Sequence, residues 1–359
     1  MAFVRAGWGW QHRGMTVIGT ASEAEIERAA AVLAEGGLVA FPTETVYGLG
    51  ADASDDAAVG RVFSVKGRPT DHPLIVHLAD AAAVDQWAID VPTTARLLAD
   101  AFWPGPLTLL LERAPSVPDA VTGGRSTVGL RVPDHPVARA LLRAFAALRP
   151  NGPAGVAAPS ANRFGRVSPT TADHVRSDLG DDIDLVLDGG PCDVGVESTI
   201  VDCTQGDPVV LRLGGVSLER LADVLGSEPG VSVTDDAVTQ AGGARAPGML
   251  EAHYAPRARV EVVDEPALAA RASALAAVEP ALTVVVLAPG TVDGLPVDVI
   301  ELEPAGPPDD FARVLYDRLR QADRLGADVL LVVPPPAHGV GAAVRDRLRR
   351  AAASAGSSG

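Results

Sequence analysis

From residue 259 onward, short apolar runs alternate with amphipathic helical stretches, and that rhythm leaves few folds open. Residues 260–263, 283–287, 297–302 and 329–333 read as strands, and 266–278, 309–325 and 342–352 carry helical periodicity. Alternation of this kind builds a parallel sheet with helices on its faces, so residues 259–352 are expected to form a small Rossmann-like parallel α/β domain. No G-x-G-x-x-G follows any of its strands, so a dinucleotide site is not expected.

The preceding stretch, 16–225, is longer and less regular. Ser22-Glu23-Ala24-Glu25 has capping-box spacing and opens a helix that should stop at Gly36-Gly37. Strands are expected at 38–41, 74–78, 107–112, 128–132, 185–187, 198–202 and 209–213, with helices at 55–65, 94–102, 137–148 and 218–225. Residues 42–50 read as a loop of hydroxyls, a carboxylate, a phenol and glycines. Ser168-Pro169-Thr170-Thr171 reads as an N-cap with proline at the first helical position. Residues 226–258 have linker composition, yet 247–256 concentrates His, Tyr and Met and is expected to cover a site. Residues 1–15 are expected to be a poorly ordered extension, with neither signal nor transit character, and 353–359 a disordered tail.

Charge narrows the function. The formal net charge of −16 argues against general nucleic-acid binding, which needs a basic face, while leaving room for a small basic pocket. No apolar run reaches membrane-spanning length, and two cysteines make neither a disulfide framework nor a zinc site. A reducing, cytoplasmic setting is expected. Of 30 Lys and Arg residues only Lys66 is a lysine. An ammonium kept in an arginine-writing sequence suggests a compact point charge on phosphate oxygens, with Gly67 and Arg68 beside it.

No P-loop, G-x-S-x-G elbow, H-E-x-x-H pair or CxxC occurs. What remains is one Lys, arginines at strand ends, and Ser/Thr hydroxyls on neighbouring loops. Such an array stabilises an anion by position and charge, with no protein nucleophile.

Five motifs in order then carry a resemblance: Pro42-Thr43-Glu44-Thr45-Val46-Tyr47-Gly48-Leu49, Lys66-Gly67-Arg68-Pro69, Pro159-Ser160-Ala161-Asn162, Gly195-Val196-Glu197-Ser198-Thr199 and His253-Tyr254-Ala255-Pro256. Together they resemble the two-domain branch of the threonylcarbamoyl-AMP synthase family. The resemblance implies a twisted, mixed-sheet, YrdC-like catalytic domain over 16–225 ahead of the smaller C-terminal domain. It implies a reaction joining L-threonine, bicarbonate and ATP, with Mg²⁺ accompanying the ATP and no protein metal ligand assigned. The product would pass to the machinery that modifies tRNA beside the anticodon, and a weak contact with double-stranded RNA or tRNA is compatible with this. It further implies that Thr45, His77, Arg131, Ala158 and Ser198 surround threonine. Lys66, Arg68, His72, Thr127, Ser160, Asn162, Ser168, Arg212 and Tyr254 would hold ATP, with Lys66 and Arg68 as the catalytic cations. Two rival readings stand beside it. One is a carbamoyl-transferring or other adenylate-forming enzyme on the same scaffold, and the other a non-catalytic RNA-binding module.

Overall fold

The computed structural model describes residues 17–150, 152–233, 254–277 and 282–353. The expected extension, the tail and most of the covering segment, including His253, lie outside the described residues. Two sheets organise the rest. The larger is mixed and has eleven strands in the spatial order Val17–Thr20, Leu185–Asp188, Val39–Phe41, Gly48–Asp52, Val156–Ala157, Ile75–His77, Thr127–Arg131, Leu107–Glu112, Thr199–Asp202, Val209–Arg212 and Gly230–Val231. The smaller is wholly parallel, in the order Arg259–Val262, Val329–Val332, Val284–Leu287 and Ile300–Glu301.

Local chemistry explains the helix that carries Lys66. The Asp55 side chain accepts from the amides of Ala57 and Ala58, Asp56–Lys66 follows, and Gly67 ends the helix at φ 64°. That left-handed value suits glycine because it lacks a Cβ. Two segments depart from expectation. Residues expected as loop contain the strand Gly48–Asp52, because Gly50 has no Cβ. A methyl there would stand 2.8 Å from both Phe41 and Val156. Gly230–Val231, inside the stretch read as linker, adds a parallel edge strand to Val209–Arg212.

The two units share a buried core. In helix Pro308–Arg324 the residues Phe311, Ala312, Leu315, Tyr316, Leu319 and Ala322 recur at helical spacing and are buried, while the opposite face carries charge. This apolar stripe joins Val46, Val167, Val196 and Tyr254 in one cluster with Val344 and Leu348 of helix Gly341–Ala353. Contact is close enough that a Cβ on Gly195 would lie 2.3 Å from the Ala312 carbonyl oxygen. Arg320 adds a bidentate pair to Asp178, with nitrogen–oxygen distances of 2.9 and 2.6 Å.

Candidate active site

The site forms where central strands of the large sheet end beside the second unit. His77 and Arg131 are direct register partners on parallel neighbours, so their side chains leave the same sheet face. Together with Thr43, Thr45, Val46, Gly48, Arg68, Ala158, Ser160, Glu197, Ser198, Arg212 and Tyr254 they line a narrow cleft.

One end is a network of hydroxyls and an ion pair. Thr43 Oγ1 donates to the Val46 carbonyl at 2.6 Å and accepts from the amides of Thr45 and Val46, which fixes the loop bearing Thr45. The Arg131 guanidinium donates to Glu44 Oε1 at 2.6 Å, and the Asp134 amide donates to Glu44 Oε2 at 3.0 Å. Burial, and then the neighbouring Arg131 charge, push His77 down to about 3, so its ring is neutral at pH 7. Its Nδ1 is buried without a hydrogen-bond partner, a polar atom suited to a ligand.

The other end is cationic. Arg68 donates to the Pro73 carbonyl at 3.0 Å, and Arg212 donates to Ser198 Oγ at 3.0 Å. Burial lowers Arg68 to about 10; the Tyr254 phenol opposes that shift and the nearby Arg212 charge adds to it. Burial likewise lowers Arg212. Both stay charged at neutral pH, so the cleft holds two cations that gain from an anion between them.

Nine of the fourteen expected residues line this cleft: Thr45, Arg68, His77, Arg131, Ala158, Ser160, Ser198, Arg212 and Tyr254. Five lie beside or behind it. Lys66 is buried, and its ammonium donates to the carbonyls of Ser160 and Asn162, each at 2.5 Å. Asn162 turns its amide onto the carbonyls of Arg163 and Arg166. His72 packs edge-on against Phe164, and Thr127 begins its strand opposite Glu112. Ser168 corrects an expectation. It does not cap the following helix, which starts at Ala172 with Thr171 as its cap. The Tyr47 amide donates to the Pro169 carbonyl and the Cys192 amide to that of Thr170, holding the chain out of helical geometry until then. The Ser168 hydroxyl instead donates to Glu197 Oε1 at 2.7 Å.

Glu44 and Glu197 were missed as individual residues, although both sit inside the motifs that carried the resemblance. Their signal was there: a carboxylate between threonines, and one before Ser-Thr at a strand start. Tyr316 and Arg347, which reach Glu197 from the second unit, had no sequence signal, being ordinary helix residues.

Fold and cleft together define a two-unit α/β protein with a buried, arginine-bearing cleft at its sheet ends. A family model described as "Telomere recombination" matches residues 31–214, and one described as "Threonylcarbamoyl-AMP synthase, C-terminal domain" matches 216–353. The chain is 42% identical over 340 residues to the threonylcarbamoyl-AMP synthase of Pyrococcus abyssi, covering 92% of this chain and 94% of that protein. It is 39% identical over 337 residues to the Bacillus subtilis enzyme of that name, with the same coverage. The crystal structure of P. abyssi Sua5 complexed with L-threonine superposes with a TM-score of 0.84 at 40% identity, covering 94% of this chain and 98% of that one. The chain belongs to the threonylcarbamoyl-AMP synthase family.

Proposed function

We propose that this protein is an L-threonylcarbamoyladenylate synthase, a nucleotidyltransferase that makes threonylcarbamoyl-AMP and pyrophosphate from L-threonine, bicarbonate and ATP. The observation that carries this reading is one cleft with two chemically distinct ends. Arg68 and Arg212 form a cationic end, the register pair His77–Arg131 with Thr45 forms a polar end, and Ser198, which accepts from Arg212 at 3.0 Å, joins the two. Polyphosphate suits the first. An amino acid with carboxylate, amine and hydroxyl suits the second, and the threonine complex of the P. abyssi relative supports this assignment.

In the proposed reaction the threonine amine adds to bicarbonate with loss of water, giving a carbamate. A carbamate oxygen attacks the α-phosphorus, and the β- and γ-phosphates leave as pyrophosphate. Arg68 and Arg212 neutralise the charge that builds on the leaving group. Neutral His77 and the Arg131–Glu44 pair orient the amino acid, and Thr45 and Ser198 offer hydroxyls to it. Mg²⁺ would accompany the ATP, with no protein metal ligand assigned.

Tyr254, in the 247–256 segment, covers the cleft as one of its walls. The product would serve tRNA modification. No described helix is long and apolar enough to cross a membrane.

Pyrophosphate release tests the reading, with threonine, bicarbonate and ATP present together and each withheld in turn. Release is expected only from the complete mixture. Release indifferent to threonine would point to another carbamoyl-transfer or adenylate-forming reaction, and none in any mixture would overturn catalysis of this kind.

A further inference from the structure

The second unit reaches the cleft through two side chains that do not line it. We propose that Tyr316 and Arg347 are positioning residues for the reaction, clamping Glu197 and Tyr254 so that the C-terminal domain completes the active site. This rests on the function proposed above.

Glu197 is held on both oxygens. Oε1 accepts from Ser168 Oγ at 2.7 Å and from the Tyr316 hydroxyl at 3.0 Å, and Oε2 accepts from that hydroxyl at 2.8 Å and from Arg347 Nε at 2.8 Å. Arg347 also donates to Asp346 and to the Leu213 carbonyl, at 2.9 Å each, so the guanidinium is itself fixed. The same two residues hold Tyr254. Its ring stacks on Tyr316 at a centroid distance of 5.8 Å and an angle of 22°, and the Arg347 guanidinium carbon lies 5.1 Å from its centroid. Tyr254 is one of two described non-glycine residues with positive φ, at 63°. A tyrosine keeps that backbone only when its surroundings over-determine it.

The clamp has an electrostatic purpose. A carboxylate at an anion site repels the ligand unless its charge is cancelled. The groups facing Glu197 are Ser168, Arg212, Tyr254, Tyr316 and Arg347. Burial alone would raise Glu197, but the Arg347 charge, helped by Arg212, outweighs it and holds the carboxyl at about 2. With Arg347 cancelling Glu197 from behind, the carboxylate draws less on Arg212, which donates to Ser198 at the cleft. Without it, Glu197 either takes a proton or draws Arg212 away.

Full-length Tyr316→Phe, Arg347→Lys and Arg347→Met are compared with wild type for threonine-dependent pyrophosphate release, alongside thermal melting. Tyr316→Phe keeps the ring stack and loses only the hydroxyl. It is expected to fold and to lose about tenfold in kcat/KM for ATP, with KM for threonine little changed. Arg347→Met is expected to lose about a hundredfold and Arg347→Lys to recover about tenfold of that. A folded Tyr316→Phe within twofold of wild type in kcat/KM for ATP overturns the proposal. If Arg347→Met does not fold, Tyr316→Phe and Arg347→Lys decide. Should wild type itself release no pyrophosphate with threonine, the proposed reaction is what fails. The clamp is then read from calorimetric binding of a non-hydrolysable ATP analogue. Binding at least fivefold weaker in Tyr316→Phe supports it, and equal binding overturns it.

Discussion

Lys66 donates to the main-chain oxygen of Asn162 at 2.5 Å, holding the Ser160–Asn162 loop from outside the cleft lining. Two of its three N–H groups are thus committed to backbone. Lys66→Met should therefore lower stability by roughly 1–3 kcal/mol, because two carbonyls lose their donor. It should also lower pyrophosphate release, because Ser160 shifts. Chemical denaturation run beside the assay separates the roles. A large activity loss at unchanged stability would return Lys66 to the phosphates.

Glu44 and Arg131 form a buried pair whose removal from one side leaves the other uncompensated. Glu44→Ala should cost roughly 3–5 kcal/mol of stability. Glu44→Gln keeps a hydrogen-bond acceptor while removing the charge, so it should cost less. Both should raise KM for threonine more than KM for ATP, since Arg131 sits at the polar end of the cleft. An equal rise in the two constants would mean that the pair serves the scaffold alone.

Much of this fold was legible because its cause is local. The alternation from residue 259 is a periodicity, and the Asp55 cap and Gly67 stop are written in adjacent residues. The strand Gly48–Asp52 was not legible, since glycines disfavour strands in isolation and only the packing of Phe41 and Val156 demands one. Cleft residues on motif loops could be named from sequence. Lys66, Asn162 and Ser168 could not be told apart from ligand contacts, because a donor facing a carbonyl and a donor facing a phosphate have the same composition. Nor could Tyr316 and Arg347 be found: their importance comes from a contact made more than a hundred residues away along the chain.

Stability should fall in two acid windows. His77 sits at about 3 in the native state against 6.5 when free, so below pH 6.5 the unfolded chain takes a proton that the native ring refuses. Stability is lost as pH drops, by roughly 2–3 kcal/mol at pH 4.5. Buried His135, also lowered chiefly by desolvation, adds in the same direction. Glu197, at about 2 against 4.5, contributes stability that is present above 4.5 and lost as pH falls toward 2. His77→Gln should flatten the upper window and leave the lower one. Urea titrations at half-unit pH steps would show this, and an unchanged upper slope would contradict the neutral, buried state of His77.

Tyr254 joins strain and packing in one residue, which makes an unusual order of variants. Tyr254→Ala removes the ring from between Tyr316 and Arg347 and should cost roughly 3–5 kcal/mol. It should raise KM for ATP about tenfold, as expected of an aromatic cleft wall lost. Tyr254→Phe keeps the stack and should lose less stability than Tyr254→Ala. Glycine ordinarily destabilises relative to alanine through backbone entropy, yet at φ 63° alanine carries a steric cost that glycine does not. Tyr254→Gly should therefore match or exceed Tyr254→Ala in melting temperature while sharing its loss of ATP affinity. Melting curves and ATP saturation on the three variants check both halves. Retained affinity and turnover in Tyr254→Ala would show that the ring is not part of the wall that ATP meets.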